Sequence, residues 1–272
     1  MTRKRLLGVG ITVAAVAAAG MPASAAAIPT ITASGSTSVA PLFSLLAKGY
    51  IKNKNLRGKL KFKLAQGGSD VGVSDVAQGK VSIGNSSRDP KGSDSGVVFN
   101  RVAKDALCIA TNPANKLGNL TQDQVQAIFS GEVRNWEQVQ GATVTGPIDI
   151  IVRTPASGTQ DAFDKIFMGS KKTSTTAAAK ASNGLVQQTV KSSPNAIGYV
   201  SFDFTAGTNP VNYQGVGCTL NNAKAGQYGG TRSFYFVTKG PARGAVAKFL
   251  TWTQRSGAAR KIISSGWVPI GA

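Results

Sequence analysis

The chain is predicted to be an α/β protein with a largely parallel sheet. Short apolar runs that are typical of strands alternate with small-residue turns and amphipathic helical patterns, and this alternation continues from Ile28 to Gln254. Apolar residues make up 42% of the 272 residues, which is enough to bury a substantial core. No later stretch approaches the roughly 18 apolar residues of a membrane span.

The first 25 residues are predicted to be a cleavable secretory signal. A basic start, Met1–Arg5, is followed by an alanine-rich apolar run and by the small-residue motif Ala23–Ala25. We expect cleavage after Ala25, with Ala26 or Ala27 as alternatives. Because the junction contains no cysteine, no lipid anchor is expected. The mature protein is therefore expected to be exported and soluble, in the periplasm or outside the cell.

The first half of the mature chain predicts three strands, each followed by a turn. The strands are expected at residues 28–32, 59–64 and 81–84. A helix follows the first strand, with Pro41 in its first turn and with Leu42, Leu45 and Leu46 on one face. A shorter helix follows the second strand and is expected to end at Gly79.

The second half continues the alternation. Strands are expected at residues 106–110, 148–152, 196–200 and 234–237. Capping boxes predict two helix starts, one at Thr121 with Gln124 and one at Ser157 with Gln160. The first of these helices is expected to end near Gly131, and the second to bury Phe163, Ile166 and Phe167. Residues 242–254 predict a final helix, and residues 170–183 a loop or a weak helix.

Three strand-to-helix turns carry hydroxyl groups and glycine. They are the Ser38 turn (residues 34–38), the Ser69 turn (66–69) and the Arg153 turn (153–159). A helix start offers free N–H groups and a positive dipole end, and ligands of open α/β sheets lie at the ends of the strands. Arg153 can add a bidentate pair of hydrogen bonds. The pattern predicts a site for a small oxyanion, although each serine could also be a simple N-cap.

Composition excludes several other functions. The chain has no histidine, which removes Ser-His-Asp and Cys-His catalysis, and two cysteines alone cannot form an ordinary zinc site. We therefore expect no enzyme activity, cofactor or metal. The 31 Lys and Arg residues exceed the 12 Asp and Glu residues by 19, which gives the chain a large net positive charge. Such a charge attracts small anions or anionic polymers, or it serves only solubility.

An even cysteine count in an exported chain favours a Cys108–Cys218 disulfide over two buried thiols.

Several segments together resemble the phosphate-binding, substrate-capturing subunits of bacterial phosphate ABC transporters. They occur in the order of that family and cover most of the mature chain: 31–41, 66–69, 83–88, 119–121, 128–131, 135–136, 153 with 157–159, and 196–200. The resemblance adds a fourth turn, the Ser87 turn (residues 85–90), to the site.

The resemblance implies a two-lobed periplasmic-binding-protein type II fold, with a mixed sheet flanked by helices in each lobe and two crossovers between the lobes. Lobe one would comprise residues 28–107 and 222–272, and lobe two residues 108–221. Cys108 and Cys218 would then lie near the crossovers, where a disulfide could tie the hinge. The implied phosphate ligands are Thr37, Ser38, Ser69, Ser87, Arg88, Arg153, Ser157, Gly158 and Thr159.

Two positions depart from the family pattern. Ser87 and Pro155 stand where family members often carry aspartates, the first of which accepts the proton of monohydrogen phosphate and so repels sulfate. Asp70 or Asp89 could supply that acceptor instead.

The implied partners are inorganic phosphate and, transiently, a membrane ABC permease, with the protein a monomer. The alternative is an extracellular adhesion or scavenging module that uses the same fold to bind anionic cell-envelope polymers.

Overall fold

The computed structural model describes residues 27–271, so the predicted signal peptide, residues 1–25, lies outside the described residues. Eleven strands and eight α-helices are found between residues 27 and 271. The strands are β1 (Thr30–Gly35), β2 (Lys61–Leu64), β3 (Ile83–Ser86), β4 (Val97–Thr111), β5 (Asn119–Leu120), β6 (Asp149–Arg153), β7 (Ala178–Lys180), β8 (Ala196–Ser201), β9 (Asn209–Pro210), β10 (Asn212–Tyr213) and β11 (Thr231–Lys239). The helices are α1 (Ala40–Asn53), α2 (Ser69–Ala77), α3 (Gln122–Ser130), α4 (Gly158–Phe163), α5 (Asn183–Ser192), α6 (Leu220–Lys224), α7 (Gly244–Arg255) and α8 (Gly257–Ser264).

The main sheet is mixed, which confirms what the resemblance implies and corrects the expectation of a largely parallel sheet that the alternation of elements gave. Its path is β2-β1-β3-β11-β4-β8-β6-β7, and β9 pairs with β4. The strands are parallel toward both ends, where β1 pairs with β2 and β3, and β6 with β7 and β8. The centre is antiparallel because β11 runs back beside β4 and β3, and β8 runs against β4. The long strand β4 therefore joins the two halves of the sheet.

Two large hydrophobic clusters lie on either side of this junction. One is built around Phe43 and Phe249 with α1, α7 and α8, and the other around Phe129 and Phe163 with α3 and α4. β4 contributes Val102 and Ala103 to the first cluster and residues 106–109 to the second. Close to the junction, Cys108 and Cys218 form a disulfide with their Cα atoms 5.6 Å apart.

The helix predicted after Thr121 is confirmed in detail. Thr121 Oγ1 accepts a hydrogen bond from the N–H of Gln124, and the N–H of Thr121 donates to Gln124 Oε1 at 2.8 Å, so both halves of the capping box form. α3 ends at Gly131, whose φ of 82° is the left-handed conformation that glycine adopts most easily. All the signals for this helix are local, which is why the sequence predicts both its ends.

Other predictions need correction. Leu45 is 43% exposed, because the buried stripe of α1 includes Phe43, Ala47 and Tyr50 and is centred away from Leu45. β4 begins at Val97, nine residues before the predicted strand, and its charged residues conceal its first half. Of the two alternatives for residues 170–183, the loop is found over residues 170–182, and it contains the short strand β7. The helices α5, α6 and α8 were not predicted.

Candidate anion-binding site

The four small-residue turns meet at one place between the two hydrophobic clusters. Ser38 Oγ lies 3.0 Å from Thr159 Oγ1, which joins the Ser38 turn to the Arg153 turn. Ser87 Oγ lies 3.3 Å from Ser69 Oγ and accepts a 2.9 Å hydrogen bond from the hydroxyl of Ser36. The predicted residues Thr37, Ser38, Ser69, Ser87, Ser157 and Thr159 are all buried in the structure.

Local hydrogen bonds fix the shape of these turns. Ser36 Oγ accepts from the N–H groups of Ser38 and Val39 at 3.2 and 3.4 Å. Ser157 is the N-cap of α4, and its Oγ accepts from the N–H of Thr159 at 3.1 Å. The predicted return bond from Gln160 is absent among the described residues, since Gln160 Oε1 accepts instead from the N–H of Arg153 and the hydroxyl of Tyr199. The predicted helix start at Ser157 is therefore confirmed, but the capping box is not formed among residues 27–271, because Ser157 Oγ accepts from Thr159 and not from Gln160.

Glycine allows two of the turns to approach each other. A Cβ atom on Gly158 would meet Ser69 Oγ and would lie 2.9 Å from the backbone N of Arg88. Gly68, with a φ of 98°, lies against the backbone of Ala156, whose carbonyl accepts a 3.2 Å hydrogen bond from the N–H of Asp70. The starts of α2 and α4, each with N–H groups that lack an intrahelical acceptor, thus face the same small volume.

Arg153 ends β6 inside this cluster. Its Nε donates to the carbonyl of Lys180 at 3.1 Å and its Nη2 to the carbonyl of Ala181 at 2.9 Å, so backbone oxygens hold the guanidinium. Its buried Nη1 has no hydrogen-bond partner among residues 27–271. Burial lowers the pKa of Arg153 to about 10, with a further lowering from the charge of Arg232, so the side chain remains a cation at neutral pH.

A second buried arginine, Arg232, was not predicted from the sequence. Its Nη2 donates to Ser38 Oγ at 2.8 Å, and both Nε and Nη2 donate to Asp105 Oδ2 at 3.1 and 3.0 Å. Arg232 Nη1, like Arg153 Nη1, is buried and unpartnered within the described part of the chain. Burial lowers the pKa of Arg232 and raises that of Asp105, while the attraction between them opposes both shifts.

Asn183 is the other residue that the sequence reasoning missed. Its Nδ2 donates to Thr37 Oγ1 at 3.0 Å and to Ser38 Oγ at 2.8 Å, so α5 begins against the Ser38 turn. Thr37 is therefore held by an amide from the other half of the sheet. The detectable signals for the missed residues are a polar residue just after the Ser182 N-cap, and a charged residue beside an apolar run in each of two strands, Asp105 in β4 and Arg232 in β11.

Arg88 lies in the Ser87 turn, but carboxylates occupy its guanidinium. Its Nε donates to Asp70 at 2.6 Å, and its Nη1 and Nη2 form a bidentate pair with Asp94 at 2.7 and 2.9 Å. Asp89, the other acceptor considered above, pairs with Lys165 at 2.6 Å and accepts from the hydroxyl of Tyr235. Asp70 and Asp89 are thus engaged with cations at the edge of the cluster.

Two further features bear on function. In residues 27–271, no group of three or more His, Cys, Asp or Glu side chains is arranged to hold a metal ion. Within the same residues, none of the helices combines the length and hydropathy that crossing a bilayer requires.

Comparison with known proteins decides the family. The model of the PBP superfamily domain matches residues 20–256 of this chain. The chain belongs to the PBP superfamily. A phosphate-binding protein PstS of Bacillus subtilis is 26% identical over 247 residues, which cover 88% of this chain and 80% of that protein.

Solved structures of PBP superfamily members extend the likeness to three dimensions. A putative phosphate ABC transporter substrate-binding protein with bound phosphate, from Clostridium perfringens, is 28% identical with a TM-score of 0.82. It covers 89% of this chain, and this chain covers 99% of it. An ABC-type phosphate transport receptor from Vibrio cholerae is 26% identical with a TM-score of 0.69, over 88% of this chain and 99% of that one. The predicted fold class, periplasmic-binding-protein type II, is confirmed.

Proposed function

We propose that this protein is an exported solute-binding protein that captures inorganic phosphate and delivers it to a membrane ABC permease. The relatives named above are phosphate-binding proteins and transport receptors, and the match to them covers most of the chain. The protein acts by binding and release, as a monomer, with no catalytic step and no cofactor. Residues 1–25 serve as its export signal.

One observation carries the proposal. Arg153 and Arg232 each place an unpartnered Nη1 in the buried cluster where serine and threonine hydroxyls from four turns meet. Among the described residues these two donors are left unsatisfied, and burying a charged donor without a partner is costly. A tetrahedral oxyanion supplies both charge and several acceptor oxygens to such a site, and the bonds that it forms with arginine are charge-assisted.

The site is proposed to lie between two lobes, residues 28–107 with 222–272 and residues 108–221. The two separate hydrophobic clusters support a division into two lobes, although Ala106, Leu107, Ala223, Tyr228 and Val268 of lobe one pack in the second cluster. Ser38, Ser69 and Ser87 would then belong to lobe one, and Arg153 and Thr159 to lobe two. Phosphate would hold the lobes together because its oxygens bond to donors from both.

The ligand set is proposed to be Thr37, Ser38, Ser69, Ser87, Arg153, Ser157, Gly158, Thr159 and Arg232. Arg88 is proposed to position the Ser87 turn, since its donors already bind Asp70 and Asp94. Without an unengaged carboxylate in the set, the site would not repel a fully ionised anion by charge. We therefore expect sulfate to compete with phosphate measurably.

A second candidate function, binding of an anionic cell-envelope polymer, is favoured by one surface. Six exposed cations lie around the end of α1 and along the edge strand β2: Lys52, Lys54, Arg57, Lys59, Lys61 and Lys63. Polymer binding falls steeply with salt through counterion release, whereas a buried single-anion site loses much less. Affinity measured at two salt concentrations separates the two functions.

Calorimetric titration of dialysed protein, shown to be ligand-free, tests the main proposal. We expect saturable binding of one phosphate per chain, with little change between about 0.1 and 0.5 M salt. A second titration with sulfate measures selectivity. No heat with phosphate would overturn the proposed function.

A further inference from the structure

A cleft opens directly beside the buried cluster. It has a volume of about 540 Å³, far more than a single five-atom oxyanion fills, and it shares Ser87 and Arg232 with the cluster. Six cationic side chains line it: Arg88, Lys91, Arg101, Lys104, Lys165 and Arg232. We call this cleft the vestibule.

Carboxylates neutralise four of these six cations. Arg88 and Lys91 lie within 4 Å of carboxylate oxygens of Asp70 and Asp161, and Arg88 also binds Asp94. Lys165 pairs with Asp89, and Arg232 with Asp105. Arg101 and Lys104 are exposed, and neither has a carboxylate oxygen within 4 Å in the described part of the chain. These two side chains therefore supply the unbalanced positive charge of the vestibule.

A β-bulge in β4 directs the side chains of Arg101 and Lys104 to the same face of the sheet. In the β4–β11 ladder Ala103 pairs with Phe234 and Arg101 pairs with Tyr235, so Val102 is the extra residue. Residues three apart in a regular strand point to opposite faces, and a bulge shifts that alternation. Here Val102 and Ala103 are both fully buried in the core, and Arg101 and Lys104 both line the vestibule. The irregularity thus brings two unpaired cations to the mouth of the anion site.

We propose that the vestibule is the access route for the anion and that Arg101 and Lys104 capture an incoming oxyanion there before it reaches the buried cluster. The inference rests on the proposed function, since it assumes that an oxyanion binds at the cluster. A cleft that carries an excess of one sign of charge, with low-dielectric walls, raises the local concentration of ions of the opposite sign. The rate at which those ions associate with the protein rises in turn. The two side chains act on arrival and are not ligands of the bound anion.

The double variant Arg101→Gln/Lys104→Gln tests this. The dissociation rate constant of phosphate is measured by stopped-flow fluorescence with a phosphate trap, and the dissociation constant by calorimetry; their ratio gives the association rate constant. At about 20 mM salt we expect association to slow about 3- to 10-fold with dissociation unchanged. At about 0.5 M salt the difference is expected to fall below about twofold, because charges are then screened within a few ångströms.

The matched control is Lys61→Gln/Lys63→Gln, which also removes two positive charges, but from the exposed edge strand β2. Its association rate is expected to stay within about twofold of the wild type, because neither Lys61 nor Lys63 lines the cleft. An equal slowing in both double variants would overturn the vestibule proposal in favour of an effect of net charge. Unchanged association in Arg101→Gln/Lys104→Gln, or a change confined to dissociation, would also overturn it. If the wild type binds no phosphate at all, the proposed function fails first, so the two failures are distinguishable.

Discussion

The Ser87 turn and the Arg153 turn look alike in sequence but differ in what surrounds their arginines. Each follows a strand and places an arginine beside small hydroxyl residues. The guanidinium of Arg88 binds two carboxylates, whereas that of Arg153 binds only two backbone carbonyls. A carbonyl satisfies a donor without cancelling its charge. Arg153 therefore keeps a full positive charge and a spare donor for an anion, and Arg88 does not.

The two arginines differ in the donors that their protein partners leave unsatisfied. The resemblance implies an aspartate at the position of Pro155, and here the carbonyls of Lys180, which ends β7, and of Ala181 hold the guanidinium instead. Arg232 lies between the two cases, because Asp105 occupies two of its nitrogens but leaves Nη1 unpartnered in residues 27–271. The proposed ligands Arg153 and Arg232 are thus distinguished from Arg88 by an unsatisfied donor, Nη1, and not by the presence of an arginine alone.

Removing Arg153 should have the largest effect. Arg153→Ala is expected to weaken phosphate binding by about 1.5–3 kcal/mol, roughly 10- to 150-fold, because its hydrogen bonds to the anion are charge-assisted. Calorimetry on the folded variant measures this directly. Unchanged affinity would show that Arg153 does not bind the anion, and that the Arg153 turn and the Ser87 turn do not differ in this respect.

Arg88→Gln is the matched control for that experiment. We expect its phosphate affinity to stay within about threefold of the wild type. Its free energy of unfolding should fall by about 1–3 kcal/mol, because Asp94 loses charge-assisted hydrogen bonds. If Arg88→Gln weakened binding as much as Arg153→Ala does, both arginines would be ligands.

The close approach of the two turns predicts the next effect. In Gly158→Ala the new methyl group meets Ser69 Oγ and the backbone N of Arg88. Overpacking costs about 1–3 kcal/mol, so phosphate binding should weaken about tenfold or more. The melting temperature without ligand should not fall if the turns can separate, since alanine favours a helix more than glycine does.

Gly257→Ala controls for the change of residue type. Gly257 is also the first residue of a helix, and a Cβ atom there meets nothing within 4 Å. We expect this variant to bind phosphate like the wild type. An equal loss of phosphate affinity in Gly158→Ala and Gly257→Ala would show that the contact between the Ser69 turn and the Arg153 turn does not limit phosphate binding.

The smallest predicted effect concerns pH. The hydrogen bond from Arg88 holds the pKa of Asp94 below its usual range, despite partial burial. A depressed carboxyl pKa stabilises the fold above the unfolded-state value of about 4, and this stability is lost as the pH falls through the folded-state value. Asp94→Asn should therefore lose at most about 1 kcal/mol at pH 7 and show a flatter decline toward pH 3 in urea unfolding. Parallel curves of unfolding free energy against pH for the wild type and Asp94→Asn would contradict the lowered pKa of Asp94.

The part of the site that could be predicted is the part encoded locally. Glycine and hydroxyl residues at strand ends indicate helix starts within a few positions, and the structure brings the predicted serines and threonines of four turns together. The helix at Thr121 is confirmed for the same reason. Even there, Gln160 was assigned to the Ser157 cap, whereas its side chain contacts Tyr199, 39 residues away.

The rest of the site depends on pairing between distant segments. Arg232 faces Asp105 across two strands that are 127 residues apart in the chain, and Asn183 reaches Thr37 over 146 residues. No local pattern reports such contacts. The bulge at Val102 is likewise set by the register between β4 and β11, and alternation alone would place Arg101 and Lys104 on opposite faces.

The disulfide between Cys108 and Cys218 changes the covalent topology of the molecule. With its two cysteines 110 positions apart in the sequence, it closes a ring that contains Arg153, Thr159 and Asn183 but not Ser38 or Arg232. A single protease cut inside the ring, for example in the loop of residues 170–177, leaves every segment covalently joined. The nicked chain would migrate as one species on a gel until it is reduced, and Arg153 and Thr159 would remain covalently tethered to Ser38 and Arg232.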